Sequence, residues 1–473
     1  MEQFYCDGKI IRDEKGRHRI FKGLNICVKN RGLSAKHFRK LLCAEEHFKM
    51  LSDNGFNLIR LGLTWELIEP QENAYSMEYI DAFKDYVALC KAHGVYVMLD
   101  MHQDVFSAHL TNAGDGAPLW AVQDYPLHQK PYAIWAEGYF YMDNLQQAFC
   151  DFWHNEKQLQ DKYIKMWQFF AKQFETFDNV IAYDYMNEPY VDANGRTIFM
   201  SIVKRVLQNT LGQDITPEVF FKKYSNKKAF LKTVLQIVSK VRSPKNLKKL
   251  AVCMDNAENF SKVVEGLDVY TKDFNETLYA PFIENISENV NPKTERFNVI
   301  EHNYFSNLGI PFHIQTPQNC LYSPHAYDVF VDSPLYNHYS SNERIRYILS
   351  QIKENQENMQ VPVLFGEWGA GANGTAWISH IEYIYGILEE NLWSHIYWGY
   401  KDEKLHKHLN RPYPVAIEGT IQCYRTDNDK KTFHLEWDQP KDGGENLIYM
   451  PQKGFVTIDG KKGKNVFDTI YGV

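Results

Sequence analysis

Apolar positions along the first part of the chain follow two alternating patterns. The stretches 44–56 and 77–94 place apolar residues at the spacing of an amphipathic helix, and a glycine marks the end of each. Short apolar runs typical of strands follow directly, at 57–63 and 95–102. The repeated helix–glycine–strand unit predicts a parallel sheet whose strands are joined by crossover helices.

The same pattern along the whole chain predicts eight parallel strands. They are FKGLNI (21–26), NLIRLGL (57–63), VYVMLDMH (95–102), VIAYDYM (180–186), TLYAPFIE (277–284), NCLYSPH (319–325), VPVLFGE (361–367) and HIYWGY (395–400). Eight such strands with intervening helices predict an α/β fold, the (β/α)8 TIM barrel. We expect the segment from about 191 to 315 to be a large insertion, because it is longer than a minimal barrel loop.

The pattern changes after about residue 405. Short strand-like runs separated by polar turns replace the helices, so we expect residues 406–473 to form a small C-terminal antiparallel β-sandwich domain. Residues 1–405 would then form the barrel domain, which opens with a hairpin near residues 9–26.

Composition narrows the class of protein. The chain has 473 residues, of which 44% are hydrophobic and 23% charged, as in a soluble globular protein. Its net charge of −7 argues against a nucleic-acid partner. Aromatic residues make up 15%, enough to line a groove for sugars as well as a core. Eight cysteines without a C-x-x-C pair favour neither a disulfide framework nor a zinc cluster.

One segment departs from this charge balance. Residues 201–250 contain 12 basic residues against Asp214 and Glu218, a net charge of +10. A solvated helical face is the commoner origin of such a segment. The alternative is peripheral contact with an anionic membrane surface through Lys222, Lys223, Lys227 and Lys228.

The N-terminal residues contain no apolar stretch typical of a signal peptide, and we find no run of about 18 apolar residues that would predict a transmembrane helix. We therefore expect a cytoplasmic setting, or a secreted one if a leader has been removed.

Polar or aromatic residues follow most of the predicted strands. They include Asn25, Lys29, Arg60, His102, Asp104, Asn187, Glu188, His325, Tyr327, Glu367 and Trp398. The carboxyl ends of parallel strands meet at one end of a barrel, where barrel enzymes carry their chemistry. A single histidine at a strand end is more often structural, but agreement among so many strand ends predicts an active site.

Two carboxylates stand out because each follows a strand that we expect to be buried on both faces. Glu188 lies in NEP (187–189) and Glu367 in GEW (366–368). A buried charge is costly unless it is paired or used. Two carboxylates serve glycoside hydrolysis, with retention at a separation of about 5–5.5 Å and inversion at about 6.5–9.5 Å. The sequence leaves that distance open, and NEP by itself could be a strand that simply ends at proline.

The ordered set of motifs resembles glycoside hydrolase family 5, a family of retaining (β/α)8 barrels. The matching pieces are Arg60, His102, NEP (187–189), HAY (325–327), GEW (366–368) and Trp398. The resemblance implies that Glu188 is the general acid/base and Glu367 the nucleophile, with Tyr327 orienting Glu367. It implies that Arg60 keeps Glu367 ionised, that Asn187 binds the sugar 2-hydroxyl, that His102 and His325 shape the sugar subsite, and that Trp398 is the platform under the sugar. Of the two glutamates, the acid would have a raised pKa and the nucleophile a low one.

Two further motifs resemble the endoglycoceramidase and glucosylceramidase branch of that family. They are LDMHQDVFS (99–107), with Asp104, and GLNICVK (23–29), with Lys29, and the resemblance implies that both residues contact the sugar. It implies no cofactor. We therefore expect an enzyme that removes glucose or a short glycan from a hydrophobic aglycone such as ceramide, sterol or flavonoid. The insertion and the loop 111–120 would help to form the wall on the aglycone side.

Three other functions remain open from the residues. A metal-dependent hydrolase could use His102, Asp104 and His325, although such sites usually pair their histidines closely. A barrel could bind a sugar or lipid without catalysis, although both glutamates are present. An endo-β-glucanase or mannanase would need a long aromatic groove, which the segment 131–144 could line as readily as a lipid channel.

Overall fold

The structure is a computed structural model that describes residues 3–29, 34–129, 136, 138–211, 249, 254–331, 336–369, 376–399, 408–427, 430–440, 444–451 and 469–471. The strands are β1 Phe4–Asp7, β2 Ile10–Asp13, β3 His18–Arg19, β4 Lys22–Val28, β5 Leu58–Thr64, β6 Tyr96–His102, β7 Val180–Asp184, β8 Phe297–Ile300, β9 Cys320–Tyr322, β10 His325–Ala326, β11 Leu364–Trp368, β12 Ser394–Tyr397, β13 Tyr413–Ile417, β14 Thr420–Asp427, β15 Thr432–Asp438, β16 Leu447–Tyr449 and β17 Thr469–Tyr471. The longer helices are Ala35–Leu42, Glu45–Asp53, Met77–Ala92, Asp143–Trp153, Leu159–Gln173, Gly195–Leu211, Ala257–Val264, Ala280–Val290, Asn342–Met359 and Ala376–Glu390. Across these described parts of the chain, every helix is too short or too polar to cross a membrane.

Strands β4 to β12 form one sheet in which every pairing is parallel. The chain passes from β9 to β10 through only Ser323 and Pro324, so these two are halves of one interrupted strand. The sheet closes at this point, because the Tyr322 N–H donates to the Pro362 carbonyl (2.9 Å) and the Gly366 N–H to the Pro324 carbonyl (3.2 Å). The closed arrangement of eight strands confirms the predicted TIM barrel.

The predicted fifth strand was wrong. Residues 277–284 belong to a π-helical turn, Asn275–Tyr279, and to the helix Ala280–Val290. The buried side chains of that helix include Phe282, Ile283 and Ile286, whose spacing is helical rather than alternating. The fifth strand is β8, which lies inside the segment predicted as an insertion.

The two ends of the chain share a second sheet, in the order β1-β2-β3-β13-β16-β17. Its neighbours pair antiparallel, except that β16 and β17 are parallel. The strands β14 and β15 form a separate antiparallel pair. The N-terminal hairpin therefore belongs to the same sheet as β13, β16 and β17, and the antiparallel pairings of the C-terminal strands agree with the prediction.

Strands β5 and β6 are buried along their whole length, because helices cover the outside of the barrel and side chains fill its interior. Arg60 and Asp100 lie on these strands and are fully buried. Charges in such an environment require partners, and the partners define the site described next.

Candidate active site

The polar side chains that follow different strands lie together at the carboxyl end of the barrel. Direct contacts join residues on or just after the strands: Asn25 of β4, Arg60 of β5, Asn187 and Glu188 after β7, His325 of β10, Tyr327 after β10, and Glu367 of β11. Parallel strands bring residues that are distant in the chain to one edge, and Arg60 and Glu367 are 307 positions apart.

Arg60 lies at the centre of this group. Its guanidinium nitrogens lie near oxygens of Asp100 (3.0 Å), Asp184 (2.8 Å), Glu301 (2.7 Å) and Glu367 (2.9 Å). Burial alone would lower the pKa of Arg60, but these four carboxylates outweigh it and hold the pKa well above its usual value. Arg60 therefore carries a permanent positive charge inside the barrel.

The carboxylates around Arg60 differ in protonation. Burial, and then the charge of Glu301, raise the pKa of Asp184 well above its usual value. Burial also opposes ionisation of Glu301, but His325 and Arg60 outweigh it and lower the pKa of Glu301 to about 2. Asp184 therefore binds a proton more readily than Glu301, and Glu301 stays ionised.

Two carboxamides complete the shell around Arg60. The guanidinium donates to the side-chain oxygens of Asn25 (3.1 Å) and Asn187 (2.9 Å). Asn25 Nδ2 in turn donates to the Gly366 carbonyl (2.8 Å), and Asn187 Nδ2 to the Gln103 carbonyl (3.0 Å). Both amide groups are thereby held in one orientation, next to the two candidate catalytic glutamates.

Both oxygens of Glu367 are held by donors. Oε1 accepts from Arg60 Nη1 (2.9 Å) and Oε2 from the Tyr327 hydroxyl (2.8 Å). Burial raises the pKa of Glu367, with His325 and Arg60 opposing the increase and Glu188 adding to it. The low pKa that we expected for Glu367 is therefore wrong, because burial of its carboxylate outweighs the two nearby cations.

Glu188 sits in a different environment. Its Oε1 accepts from Asn307 Nδ2 (2.9 Å) and lies 3.1 Å from His325 Nδ1. Its backbone has φ of +43°, in the left-handed region that residues with a side chain rarely adopt. The Glu188 N–H donates to Glu301 Oε2 (2.6 Å), which holds this turn. Glu188 is thus presented to the barrel mouth by a hydrogen-bonded corner directly after the strand.

The two glutamates are close together. One carboxylate oxygen of Glu188, one of Glu367 and a ring nitrogen of His325 lie within 4.8 Å of one another. Carboxylate oxygens this close are typical of retaining glycosidases, in which the carboxyl groups are about 5–5.5 Å apart, and not of inverting enzymes, in which about 6.5–9.5 Å leaves room for a water.

A second polar group lies beside this pair. The Lys29 ammonium contacts Asp104, lies 3.7 Å from Asp115 and is 5.4 Å from the Trp398 ring centroid. The rings of His102 and Trp398 are nearly parallel, with centroids 5.8 Å apart. Burial, and then the charge of Asp104, raise the pKa of Asp115 to about 6. Asp115 belongs to the loop 111–120, so this part of the loop lies with the expected sugar-binding residues.

The described residues contain four groups of His, Cys, Asp or Glu side chains that are close enough together to hold a metal ion. Within the described residues, the groups with ligand atoms within 4.8 Å are Glu188–His325–Glu367, His102–Asp104–Asp115, Cys27–Asp100–His102 and, on the β14–β15 hairpin, Cys423–His434–Glu436. In the first two, Arg60 or Lys29 already contacts a carboxylate of the group. A resident cation opposes the binding of a second one, so these two groups suit proton transfer and hydroxyl binding better than a metal.

Sequence reasoning missed Glu301 and Asn307, because the fifth strand was placed too early in the chain. The signal was present in FNVIEHN (297–303), where an apolar run is followed by Glu301, His302 and Asn303. This is the same pattern of a buried strand followed by polar side chains that identified Glu188 and Glu367.

Comparison with known proteins identifies the family and supports the fold. The family model described as "Cellulase (glycosyl hydrolase family 5)" matches residues 21–404, and that of the "Glycoside hydrolase family 5 C-terminal domain" matches residues 411–466. Among solved structures, endo-glycoceramidase II from Rhodococcus sp. in complex with ganglioside GM3 is similar in fold, with a TM-score of 0.65 and 21% identity over 95% of this chain and 91% of that one.

Curated relatives match over shorter stretches. An endoglycoceramidase of Cyanea nozakii is 31% identical over 202 residues, which are 38% of this chain and 40% of that protein. A glucosylceramidase of Rhizopus delemar is 26% identical over 181 residues, 31% of this chain and 26% of that protein. The alignments thus span less than half of the length of either relative.

Proposed function

The chain belongs to glycoside hydrolase family 5, and we propose that it hydrolyses a β-glycosidic bond with retention of configuration. The substrate is glucose or a short glycan joined to a hydrophobic aglycone such as ceramide, sterol or flavonoid. The observation that carries the proposal is the approach of Glu188 and Glu367 to within 4.8 Å, with different donors holding each.

In the first step Glu367 is the nucleophile. Its carboxylate attacks the anomeric carbon and forms a glycosyl ester, while Glu188 gives its proton to the departing glycosidic oxygen. The aglycone leaves as an alcohol. The Tyr327 hydroxyl and Arg60 hold one oxygen of Glu367 each, so the carboxylate is fixed before attack. Such pre-organisation removes an orientational cost from the transition state.

In the second step Glu188 acts as the base. It takes a proton from water, whose oxygen attacks the anomeric carbon and releases Glu367 as a carboxylate. Glu367 is an uncharged ester at this stage, so the carboxylate charge that lay within 4.8 Å of Glu188 is gone when Glu188 takes the proton. The same residue can therefore serve as acid and then as base.

The sugar would lie against the second polar group. Asn187, already oriented by Arg60, would donate to the 2-hydroxyl, and Lys29 and Asp104 would bind hydroxyls farther round the ring. His102 would shape this subsite together with His325, and Trp398 would offer a ring face to the sugar. Aromatic faces pack well against the apolar face of a pyranose because both are flat and partly apolar.

An apolar surface lies beside the acid and supports a hydrophobic aglycone. The Tyr304 N–H donates to the carbonyl of Pro189, the residue after Glu188 (3.0 Å). The Tyr304 ring is 6.2 Å from Phe140, which stacks on Phe199 at 4.0 Å. Phe199 begins a half-buried apolar stripe on the helix Gly195–Leu211 that continues with Ile202. In this proposal these partly buried apolar side chains would contact the aglycone.

The names of the relatives point the same way. Endoglycoceramidase and glucosylceramidase are named for bonds between a sugar and ceramide, and the Rhodococcus structure contains the glycolipid ganglioside GM3. A glycolipid is therefore the first substrate class to test.

We expect Glu367→Gly to abolish turnover by more than about 1000-fold, because the ester can no longer form. Added azide should then restore cleavage and give a glycosyl azide of inverted configuration, which NMR of the product identifies. Normal turnover by this variant, in the absence of azide, would rule out Glu367 as the nucleophile.

We expect Glu188→Ala to lose activity according to the leaving group. Dinitrophenyl glycosides should form the ester nearly as fast as with the wild type, since their leaving group needs no proton, whereas alkyl glycosides should slow by about 100-fold or more. Pre-steady-state bursts with the two substrate types measure this difference. Equal losses on both would contradict the role of general acid.

We expect Phe199→Ser combined with Ile202→Ser to raise KM for glucosylceramide and steryl glucosides and to leave KM for nitrophenyl glucoside within about twofold, because only the lipid reaches the apolar surface. The matched control is Tyr5→Ser, which removes an exposed aromatic residue at the opposite end of the barrel. Comparing the rates of cleavage of cello-oligosaccharides and of lipid glycosides by the wild type also tests the alternative function of an endo-β-glucanase. Faster cleavage of cello-oligosaccharides than of any lipid glycoside would refute the aglycone assignment.

Peripheral membrane contact through Lys222, Lys223, Lys227 and Lys228 is a further part of the proposal, although these lysines lie outside the described residues. The support is the net charge of +10 on residues 201–250. We expect replacement of the four lysines by Glu to weaken binding to vesicles that contain phosphatidylserine. The free energy of binding, measured by sedimentation with the vesicles at low salt, should become less favourable by roughly 1 kcal/mol per lysine. Reversing the exposed Lys49, Lys91, Lys157 and Lys262 is the control. Equal effects of both sets would dismiss a specific role of the basic segment.

A further inference from the structure

Glu301, the residue that follows β8, joins three parts of the active site. Its Oε1 accepts from Arg60 Nη2 (2.7 Å) and lies 3.1 Å from His325 Nε2, and its Oε2 accepts from the backbone N–H of Glu188 (2.6 Å). The side chain is fully buried. A buried carboxylate is costly to desolvate, so each of these contacts contributes to keeping it ionised.

The first link runs through His325. This ring is fully buried, and its Nδ1 lies 3.1 Å from Glu188 Oε1 and 3.6 Å from Glu367 Oε2. Burial lowers the pKa of His325, but Glu301 and Glu367 outweigh it and raise the pKa well above its usual value. The backbone of His325 contacts His302 Nε2, and burial, followed by the charge of His325, lowers the pKa of His302 to about 4. His325 is therefore an imidazolium beside a neutral histidine.

The three carboxylates around this imidazolium behave differently during the reaction. Under the proposed mechanism Glu367 loses its charge when it becomes an ester, and Glu188 alternates between acid and carboxylate. Glu301 takes part in neither step, so its charge is constant. Glu301 is thus the counter-charge that remains next to His325 throughout the catalytic cycle.

The second link runs through the backbone of Glu188. The left-handed backbone conformation of Glu188 costs free energy, so a nearby contact must stabilise it. Glu301 Oε2 supplies that partner by accepting from the Glu188 N–H. The carboxylate of Glu301 thereby holds both the backbone of Glu188 and the ring of His325, which Glu188 contacts.

We propose that Glu301 is a positioning residue for the acid Glu188: it holds the backbone corner of Glu188 and remains the partner of the His325 ring while Glu188 and Glu367 change charge. This role rests on the proposed retaining hydrolysis, in which Glu188 protonates the leaving group.

The test begins with Glu301→Gln, which keeps the size of the side chain and removes its charge. We expect kcat/KM for alkyl glycosides to fall by more than about 100-fold and that for dinitrophenyl glycosides by less than about tenfold, because only the former need a positioned acid. The alkaline limb of kcat/KM should also move to lower pH, because His325 loses its proton more readily without the neighbouring negative charge.

A second variant separates the two links and remains informative if Glu301→Gln does not fold. Glu301→Asp keeps the charge but shortens the side chain, so it cannot reach Arg60, His325 and the Glu188 N–H together. We expect a wild-type alkaline limb, with the larger loss on alkyl glycosides retained. Equal losses on both substrate types by a folded Glu301→Asp would overturn the positioning role.

The matched control is Glu69→Gln. Glu69 is also a buried glutamate, but its carboxylate accepts from Trp65 Nε1 and from the Asn73 N–H. Thermal unfolding of both variants measures any general loss of stability. If the wild type cleaves glycosides and Glu301→Gln matches Glu69→Gln in pH profile and leaving-group dependence, the role of Glu301 fails while the proposed function stands. If the wild type cleaves no glycoside, both fall.

Discussion

A guanidinium enclosed by four carboxylates organises the interior of this barrel. Arg60 is fully buried, and its partners come from β6, β7, β11 and the end of β8. Such a charge is tolerated only when its partners are in place, because removing one leaves a buried charge uncompensated. Strand pairing and the placement of Glu367 are therefore coupled. The ion pair with Arg60 that compensates a buried charge also positions the nucleophile.

The two candidate catalytic glutamates differ through their surroundings rather than through their residue type. Glu367 is held by a permanent cation and a tyrosine hydroxyl, whereas Glu188 sits on a left-handed corner and faces Asn307 and His325. The expectation that Arg60 would give Glu367 a low pKa was wrong, because burial of the Glu367 carboxylate is the larger effect. Arg60 also divides its charge among four carboxylates, so each receives only part of its effect.

The fifth strand was predicted at the wrong place in the chain, for a physical reason. The run 277–284 has the composition of a strand, but its buried residues continue at helical spacing into 286. A window of eight residues does not distinguish a buried helix from a buried strand when both are apolar. The consequence reached the site, because Glu301 and Asn307 follow the true strand and were not considered. The pairing of β3 with β13 could not be predicted from the sequence either, because strands that are far apart in the chain leave no local pattern that identifies them as partners.

The sequence by itself determined the parallel barrel, because its helix and strand periodicities recur along the chain, and it identified most polar residues of the barrel mouth, because each follows an apolar strand. It also named the pair Glu188 and Glu367. Only the tertiary structure decided that these two approach within 4.8 Å, that Arg60 is shared among four carboxylates, and that Glu301 holds the corner of Glu188. These are distances between residues far apart in the chain, and they are set by how the closed sheet brings its strand ends together.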